Sequence, residues 1–199
     1  METLELSPKV SFGNKKLPKD TLIFNIPAVK TCPGKTALCS KDCYALKAER
    51  LYPQVYPARK HNLKLTMSNN FPSLMIGIIQ KNQKKIKQVR IHEAGDFYSQ
   101  AYLDNWFLIA KEFPGLTFYA YTKSFHLDFS GKPSNFVLIA SFDESSTMRD
   151  KGLYEFRKAY FNNTFTIVDK KAQASCIQDC TACNACWKSS GLNITVNKH

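Results

Sequence analysis

No run of this 199-residue chain is apolar over anything near the roughly 18 residues that a membrane-spanning helix needs. The opening residues, METLELSPKV, lack the basic-then-apolar pattern of a secretory leader. No internal repeat or low-complexity tract is visible, which sets aside solenoids and flexible linkers. Acidic residues are scarce: 16 Asp and Glu stand against 28 Lys and Arg, a formal net charge of +12. These absences lead to an expectation of a cytoplasmic protein with no membrane partner, in a compartment where thiols stay reduced. The 44% hydrophobic and 13% aromatic content suffices for a packed core, so one domain over residues 1–199 is expected.

The positive excess fits a nucleic acid or another polyanion as partner. The densest run is Lys81, Lys84, Lys85, Lys87 and Arg90. It reads equally as the solvated end of a helix and its exit loop.

What the chain has in unusual arrangement is cysteine. Seven occur, an odd number that argues against a complete disulfide set. Cys32, Cys39 and Cys43 fall in TCPGKTALCSKDCYA, spanning the loop 32–43. Cys176, Cys180, Cys183 and Cys186 crowd into the eleven residues of CIQDCTACNAC, within a C-terminal segment 176–187. Soft anionic sulfur binds iron and zinc strongly. Three thiolates can hold three irons of a [4Fe–4S] cube and leave the fourth open, whereas four can close a cluster. The expectation is one or two [4Fe–4S] clusters. A tetrahedral zinc site at the four-cysteine group is the rival, and one of its thiols could instead complete the first cluster. Pro33-Gly34 offers a tight turn for wrapping a cluster.

Strand-like and helix-like segments alternate, which implies an α/β fold with a mostly parallel sheet. Strands are expected at Thr21–Asn25, Val89–His92, Leu116–Tyr121, Phe136–Phe142 and Thr164–Val168, with Leu192–Val196 as a sixth or an edge hairpin. Helical patterns run from Tyr44 to about Ser68 with a break near Pro53 and Pro57, from Pro72 to about Lys84, after Ser99, and from Met148 to Tyr160. A closed eight-stranded barrel typically takes about 250 residues. A partial, open (β/α) barrel with cysteine-rich loops at the carboxyl edge fits this length better, and a flat doubly wound sheet is the alternative.

On that layout the first cysteine loop leaves the first predicted strand at the edge where such barrels place their chemistry. Polar residues at the other strand ends would share the rim: His92, Glu93, Gly95, Asp96 and Tyr98; Tyr121, Thr122, Lys123 and Ser124; Ser141, Asp143 and Glu144; and Asp169. His92 is either an iron ligand, proton donor or substrate contact, or a hydrogen-bonded structural residue. Asp96 either joins the site or caps the helix after Ser99, and Lys123 either contacts a substrate anion or is a surface cation. Asp143 and Glu144 could cap the helix near Ser146. Tyr44 and Trp187 are expected to pack over the clusters and exclude water.

Together, CPGKTALCSKDCYA, RIHEAGDFYSQAYLDNW, FYAYTKS and CIQDCTACNACW resemble a family of phage and plasmid proteins known by a mycobacteriophage gene number, gene product 88. The resemblance covers roughly residues 21–190 and implies a metal-binding protein, in the host-cell cytoplasm if phage-encoded. More distantly, the cysteine loop ending in CYA is similar to that of radical-SAM enzymes. That likeness implies Cys32, Cys39 and Cys43 as ligands of a [4Fe–4S] cluster whose open iron binds S-adenosylmethionine. It places Glu93 and Gly95 of EAGD where that superfamily contacts the cofactor, with Ser141 on the same rim, and makes Cys176–Cys186 an auxiliary site. The gaps between the three cysteines, six and three residues, are wider than in that superfamily. The expected function is an iron–sulfur protein, radical-SAM-like, with His92, Asp96 and Lys123 in catalytic contact roles. The alternatives are a nucleic-acid-binding protein with structural metal, and an electron carrier or redox sensor served by an electron donor.

Overall fold

A computed structural model of the chain describes residues 7–168, 176–188 and 191–197. Seven strands form one sheet in sequence order: β1 (Val10–Phe12), β2 (Thr21–Phe24), β3 (Gln88–Ile91), β4 (Thr117–Thr122), β5 (Phe136–Asp143), β6 (Asn163–Val168) and β7 (Asn193–Asn197). β1 pairs antiparallel with β2, and every later pair is parallel. Each new strand is added on the same side of the last, as in a (β/α) barrel. The sheet is not closed, since β1 and β7 are its two edges. The open α/β architecture is as the sequence implied.

Two corrections concern the edges. β1 was not foreseen, because three residues, VSF, carry too little alternation to be read as a strand. The C-terminal segment is the parallel strand β7 rather than an edge hairpin. Asp169 lies outside the described residues.

The helices are α1 (Ala37–Lys41), α2 (Tyr44–Leu51), α3 (Val55–Thr66), α4 (Phe71–Asn82), α5 (Gln100–Lys111) and α6 (Met148–Arg157), the last running into a 3₁₀ turn at Lys158–Tyr160. The break between α2 and α3 falls at residues 52–54, beside Pro53. Ser99 caps α5 by accepting from the Tyr102 amide. Asp96 therefore does not cap it. Neither Asp143 nor Glu144 caps α6: Thr147 does, reciprocally with Asp150. A threonine three residues before an acid is the capping-box pattern, and that signal outranks the nearer carboxylates.

Strand alternation gives the sheet two different faces. Leu22, Phe24, Val89, Ile91, Phe118, Ala120, Phe136 and Leu138 meet α3, α4 and α5 in the main core. Phe24, Phe71, Tyr102 and Trp106 interlock there, with ring centres 5.3–6.4 Å apart. The opposite, inner face carries Tyr119, Val137 and Ile139. It is covered by the C-terminal cysteine segment, through Cys186 and Trp187. Among the described residues no helix is long and apolar enough to cross a membrane.

Candidate functional site

The loop after β2 is held from below and from the side. The Thr31 hydroxyl donates to the Pro27 carbonyl at 2.7 Å. The Lys35 amide donates to the Cys32 carbonyl, closing the Pro33-Gly34 turn. Gly34 lies so close to the next loop that a Cβ there would collide with the Lys123 carbonyl. Thr36 then caps α1 by accepting from the Cys39 amide at 3.0 Å, and its hydroxyl donates to Asp143 at 2.7 Å. Cys43 occupies the N-cap of α2. That helix is tied back by Glu49, which accepts from the Ala28 amide at 2.7 Å and pairs with Arg59 at 2.9 Å.

Cys32, Cys39 and Cys43 are half-buried free thiols. Burial pushes the Cys32 thiol up to about 12, with Asp96, Cys39 and Cys43 adding to it. Burial also raises Cys39, while the nearby Lys123 ammonium opposes the rise. The three thiols thus share one electrostatic neighbourhood with Asp96, Asp143 and Lys123.

The EAGD stretch is the other wall. The Glu93 and Ala94 amides both donate to Asn25 Oδ1, at 2.7 and 3.0 Å. The Glu93 carboxylate accepts from Asn14 at 2.8 Å. Gly95 has φ +92°, and a Cβ there would strike Ile26 and approach Thr31 Oγ1 to 2.8 Å. Only glycine serves at this contact between the β3 loop and the cysteine loop. Asp96 is buried and accepts from Thr122 Oγ1 (2.6 Å), the Lys123 amide (2.9 Å) and the Phe97 amide (2.7 Å). Burial pushes its carboxyl up to about 6 despite those donors.

Lys123 Nζ donates to the Ser141 carbonyl at 3.0 Å and pairs with Asp143 at 3.0 Å. Burial acts to raise the Asp143 carboxyl, but Thr36 and Lys123 outweigh it and hold the group below its ordinary value. The strand-end residues Asp96, Lys123, Ser141 and Asp143 therefore meet the cysteine loop in one polar lattice. His92 does not join it. It takes a left-handed φ of 67° and turns into the helix-side core, where its Nε2 bonds the Tyr102 hydroxyl at 2.8 Å and its ring meets Phe97.

Three residues that hold this lattice, Asn14, Asn25 and Thr36, were not singled out from the sequence, and Thr122 was named only as one of the rim positions. Asn25 and Thr122 sit at strand ends, and Thr36 precedes a short helix, so position was the available signal. Tyr44 remains 57% exposed, its hydroxyl donating to the Glu93 carbonyl at 2.6 Å, so its ring does not shield the thiols as foreseen. Trp187 does pack inward, 5.2 Å from Tyr119.

The second cysteine group crosses the inner face. The Cys180 amide donates to the Lys16 carbonyl and the Cys176 amide to the Thr195 carbonyl, both at 3.0 Å. Asn163 donates to the Cys186 carbonyl at 3.1 Å. Burial raises both Cys180 and Cys186, and Cys176 and Cys183 add to the rise in each. Among the described residues no three His, Cys, Asp or Glu are drawn close enough to grip a single metal ion.

The profile of the family described as Gene product 88 matches residues 8–189. The Gene 88 protein of Mycobacterium phage L5 is 32% identical over 158 residues, covering 68% of this chain and 62% of that protein. The Gene 88 protein of Mycobacterium phage D29 is 32% identical over 102 residues, covering 47% of this chain and 42% of that protein. The aligned region thus spans less than two thirds of either relative. No solved structure matches. A profile match running from β1 through both cysteine groups, and the phage L5 relative sharing about a third of its aligned residues, make this chain a member of the Gene product 88 family.

Proposed function

We propose that this chain is an iron–sulfur protein of radical-SAM-like design, with one [4Fe–4S] cluster at Cys32, Cys39 and Cys43 and a second thiolate centre at Cys176, Cys180, Cys183 and Cys186. The donor set fits such groups: seven free, half-buried sulfurs, divided into a three and a four. The observation that carries the reading is the seat of the three-cysteine loop. It rises from the carboxyl edge of a parallel strand and is braced by Gly34 on Lys123, Thr36 on Asp143 and the EAGD wall. Metal binding would draw the thiols together and deprotonate them, so loading is coupled to local ordering.

A three-thiolate [4Fe–4S] cluster supplies one-electron reduction and an iron with an open position for S-adenosylmethionine. Around it, Asp96 and Asp143 bring negative charge and Lys123 a cation already anchored at two points. Glu93 presents a carboxylate steadied by Asn14, and Gly95 keeps the wall thin. Burial of Asp96, beside the half-buried Cys32, limits water at the same spot.

Anaerobic reconstitution is expected to give about four to eight irons per chain, with matching sulfide. Replacing Cys32, Cys39 and Cys43 together with alanine should remove about four of them. A colourless protein that holds only zinc overturns the reading. With iron loaded, S-adenosylmethionine and dithionite should release 5′-deoxyadenosine. No release from an intact cluster would remove the enzymatic part and leave electron transfer or redox sensing.

A second reading, nucleic-acid binding, is favoured by α2 and α3. Lys47, Arg50, Lys60 and Lys64 are exposed there, beside the exposed ring of Tyr52. Exposed cations with aromatic surfaces suit single strands. Lys47→Glu with Arg50→Glu should weaken binding of a labelled single-stranded oligonucleotide and flatten its salt dependence, by roughly 0.7 in log–log slope per lost phosphate contact. Affinity independent of salt would exclude this surface.

A further inference from the structure

Arg90 is a cation with no salt bridge among the described residues. It leaves β3 on the inner face, at the register position flanked by Ile23 and Tyr119. Its guanidinium carbon lies 4.1 Å from the ring centre of Tyr121 and 5.0 Å from that of Tyr119. Its Nε donates to the His92 carbonyl at 3.2 Å. Among the described residues no Asp or Glu forms an ion pair with it. Two ring faces, one carbonyl and the Tyr121 hydroxyl, with the Glu93 carboxylate near but not in ion-pair contact, leave several of a guanidinium's five N–H donors without a charged partner. A cation set into the fold in this way calls for an anion.

The C-terminal segment lies over the same two tyrosines. Trp187 packs on Tyr119, and Cys186 joins the cluster of Tyr119, Val137 and Ile139. Tyr119 is thus shared: the guanidinium of Arg90 lies 5.0 Å from its ring centre, and Trp187 packs 5.2 Å from it beside Cys186. Four thiolates around a dipositive core, whether a [4Fe–4S] unit or zinc, leave about two negative charges. That net charge has to be met inside the fold, and Arg90 is the cation on the tyrosines that the segment covers.

We infer that Arg90 is the counter-charge of the metal centre built by Cys176, Cys180, Cys183 and Cys186, holding it against the inner face and setting how readily it takes an electron. The inference rests on the metal reading above and deepens it. Arginine suits the place better than lysine, because its flat, weakly hydrated head can lie on the tyrosine rings and still have N–H donors to offer an anion. Arg90 is a positioning residue: it touches no substrate and acts through the centre beside it.

The test uses the full chain with Cys32, Cys39 and Cys43 changed to alanine, so that bound metal reports the C-terminal centre alone. Into this parent go Arg90→Met, which keeps the stem, and Arg90→Lys, which keeps the charge. Arg90→Met should lose iron to a chelator at least about tenfold faster. Its reduction equilibrium should move about tenfold toward the oxidised form, a fall of about 59 mV for a one-electron couple. Arg90→Lys should stay close to the parent in both. Near-ultraviolet circular dichroism of the metal-free proteins checks folding. If Arg90→Met does not fold, Arg90→Lys decides alone: retention and potential close to the parent support the role, and a clear fall in either overturns it. A folded Arg90→Met with the parent's metal retention and potential overturns the inference and leaves the metal reading intact. A parent that takes up no metal at these four cysteines overturns both.

Discussion

Replacing Gly34 with alanine should unseat the three-cysteine loop and lower the stability of the protein by about 3 kcal/mol, the scale of severe overpacking. The new methyl would be driven into the Lys123 carbonyl. Backbone cannot swing aside as the tip of a flexible side chain can. The obstructed segment is pinned in turn, since the Lys123 amide donates to Asp96 and its ammonium binds Asp143. Relief therefore has to come from the cysteine loop. For a chain of this size the loss corresponds to roughly 6–12 °C in Tm. The same displacement should expose Cys32, so its alkylation should quicken in the variant. Gly77→Ala serves as the contrast: it sits in α4 with nothing within 4 Å of the added methyl, and should gain about 0.5–1 kcal/mol. A Gly34→Ala protein that melts with the wild type and keeps Cys32 shielded would refute this account of the seat.

The second large effect is acid lability from His92. The ring is 3% exposed, its Nδ1 has no hydrogen-bond partner in the structure, and burial, reinforced by Arg90, pushes its pKa down to about 3. In the unfolded chain the value is near 6.5. The folded state holds the neutral ring, so the unfolded chain binds the proton first as pH falls. This contribution is fully present above about pH 6.5 and drains away as pH drops toward about 3, amounting to roughly 4–5 kcal/mol across the span. Asn tolerates the left-handed backbone that His92 adopts at φ 67°. His92→Asn should cost about 1–2 kcal/mol at pH 7 through lost ring packing, yet show a shallower decline between pH 6.5 and 4 by denaturant unfolding. An equally steep decline in the variant would place the acid sensitivity elsewhere.

Much of this layout was legible in the sequence because strand ends and loop cysteines are local features. VRIH reads as a strand, and a parallel strand hands its next residues to the carboxyl rim. Asp96, Lys123, Ser141 and Asp143 duly meet the loop of Cys32 there. What failed was direction. His92 was placed on the rim, but one left-handed residue rotates its side chain into the helix-side core. No property of a histidine in sequence announces that turn. Arg90 was counted in a surface run with Lys81, Lys84, Lys85 and Lys87, yet its strand neighbours Val89 and Ile91 both face the helices. Period-two alternation therefore sends Arg90 to the inner face. A cation between two apolar strand residues was the clue, and the lysines before it concealed it. The polar staples Asn25 and Thr36 act over separations of 68 and 107 residues, which no window of sequence reveals.

Because the strands join the sheet one after another along the chain, Tyr119, Val137 and Ile139 are made before Cys186 and Trp187, which pack on them. The three-cysteine loop, its walls and the four strands behind them are complete by Asp143, while Cys176–Lys188 still awaits translation. During synthesis there is thus an interval in which the inner face, Tyr119 and Arg90 included, lacks the cover that Cys186 and Trp187 later give it. The segment Cys176–Lys188 then lays its own sulfurs over that face, after the first cysteine loop and its walls have already been made.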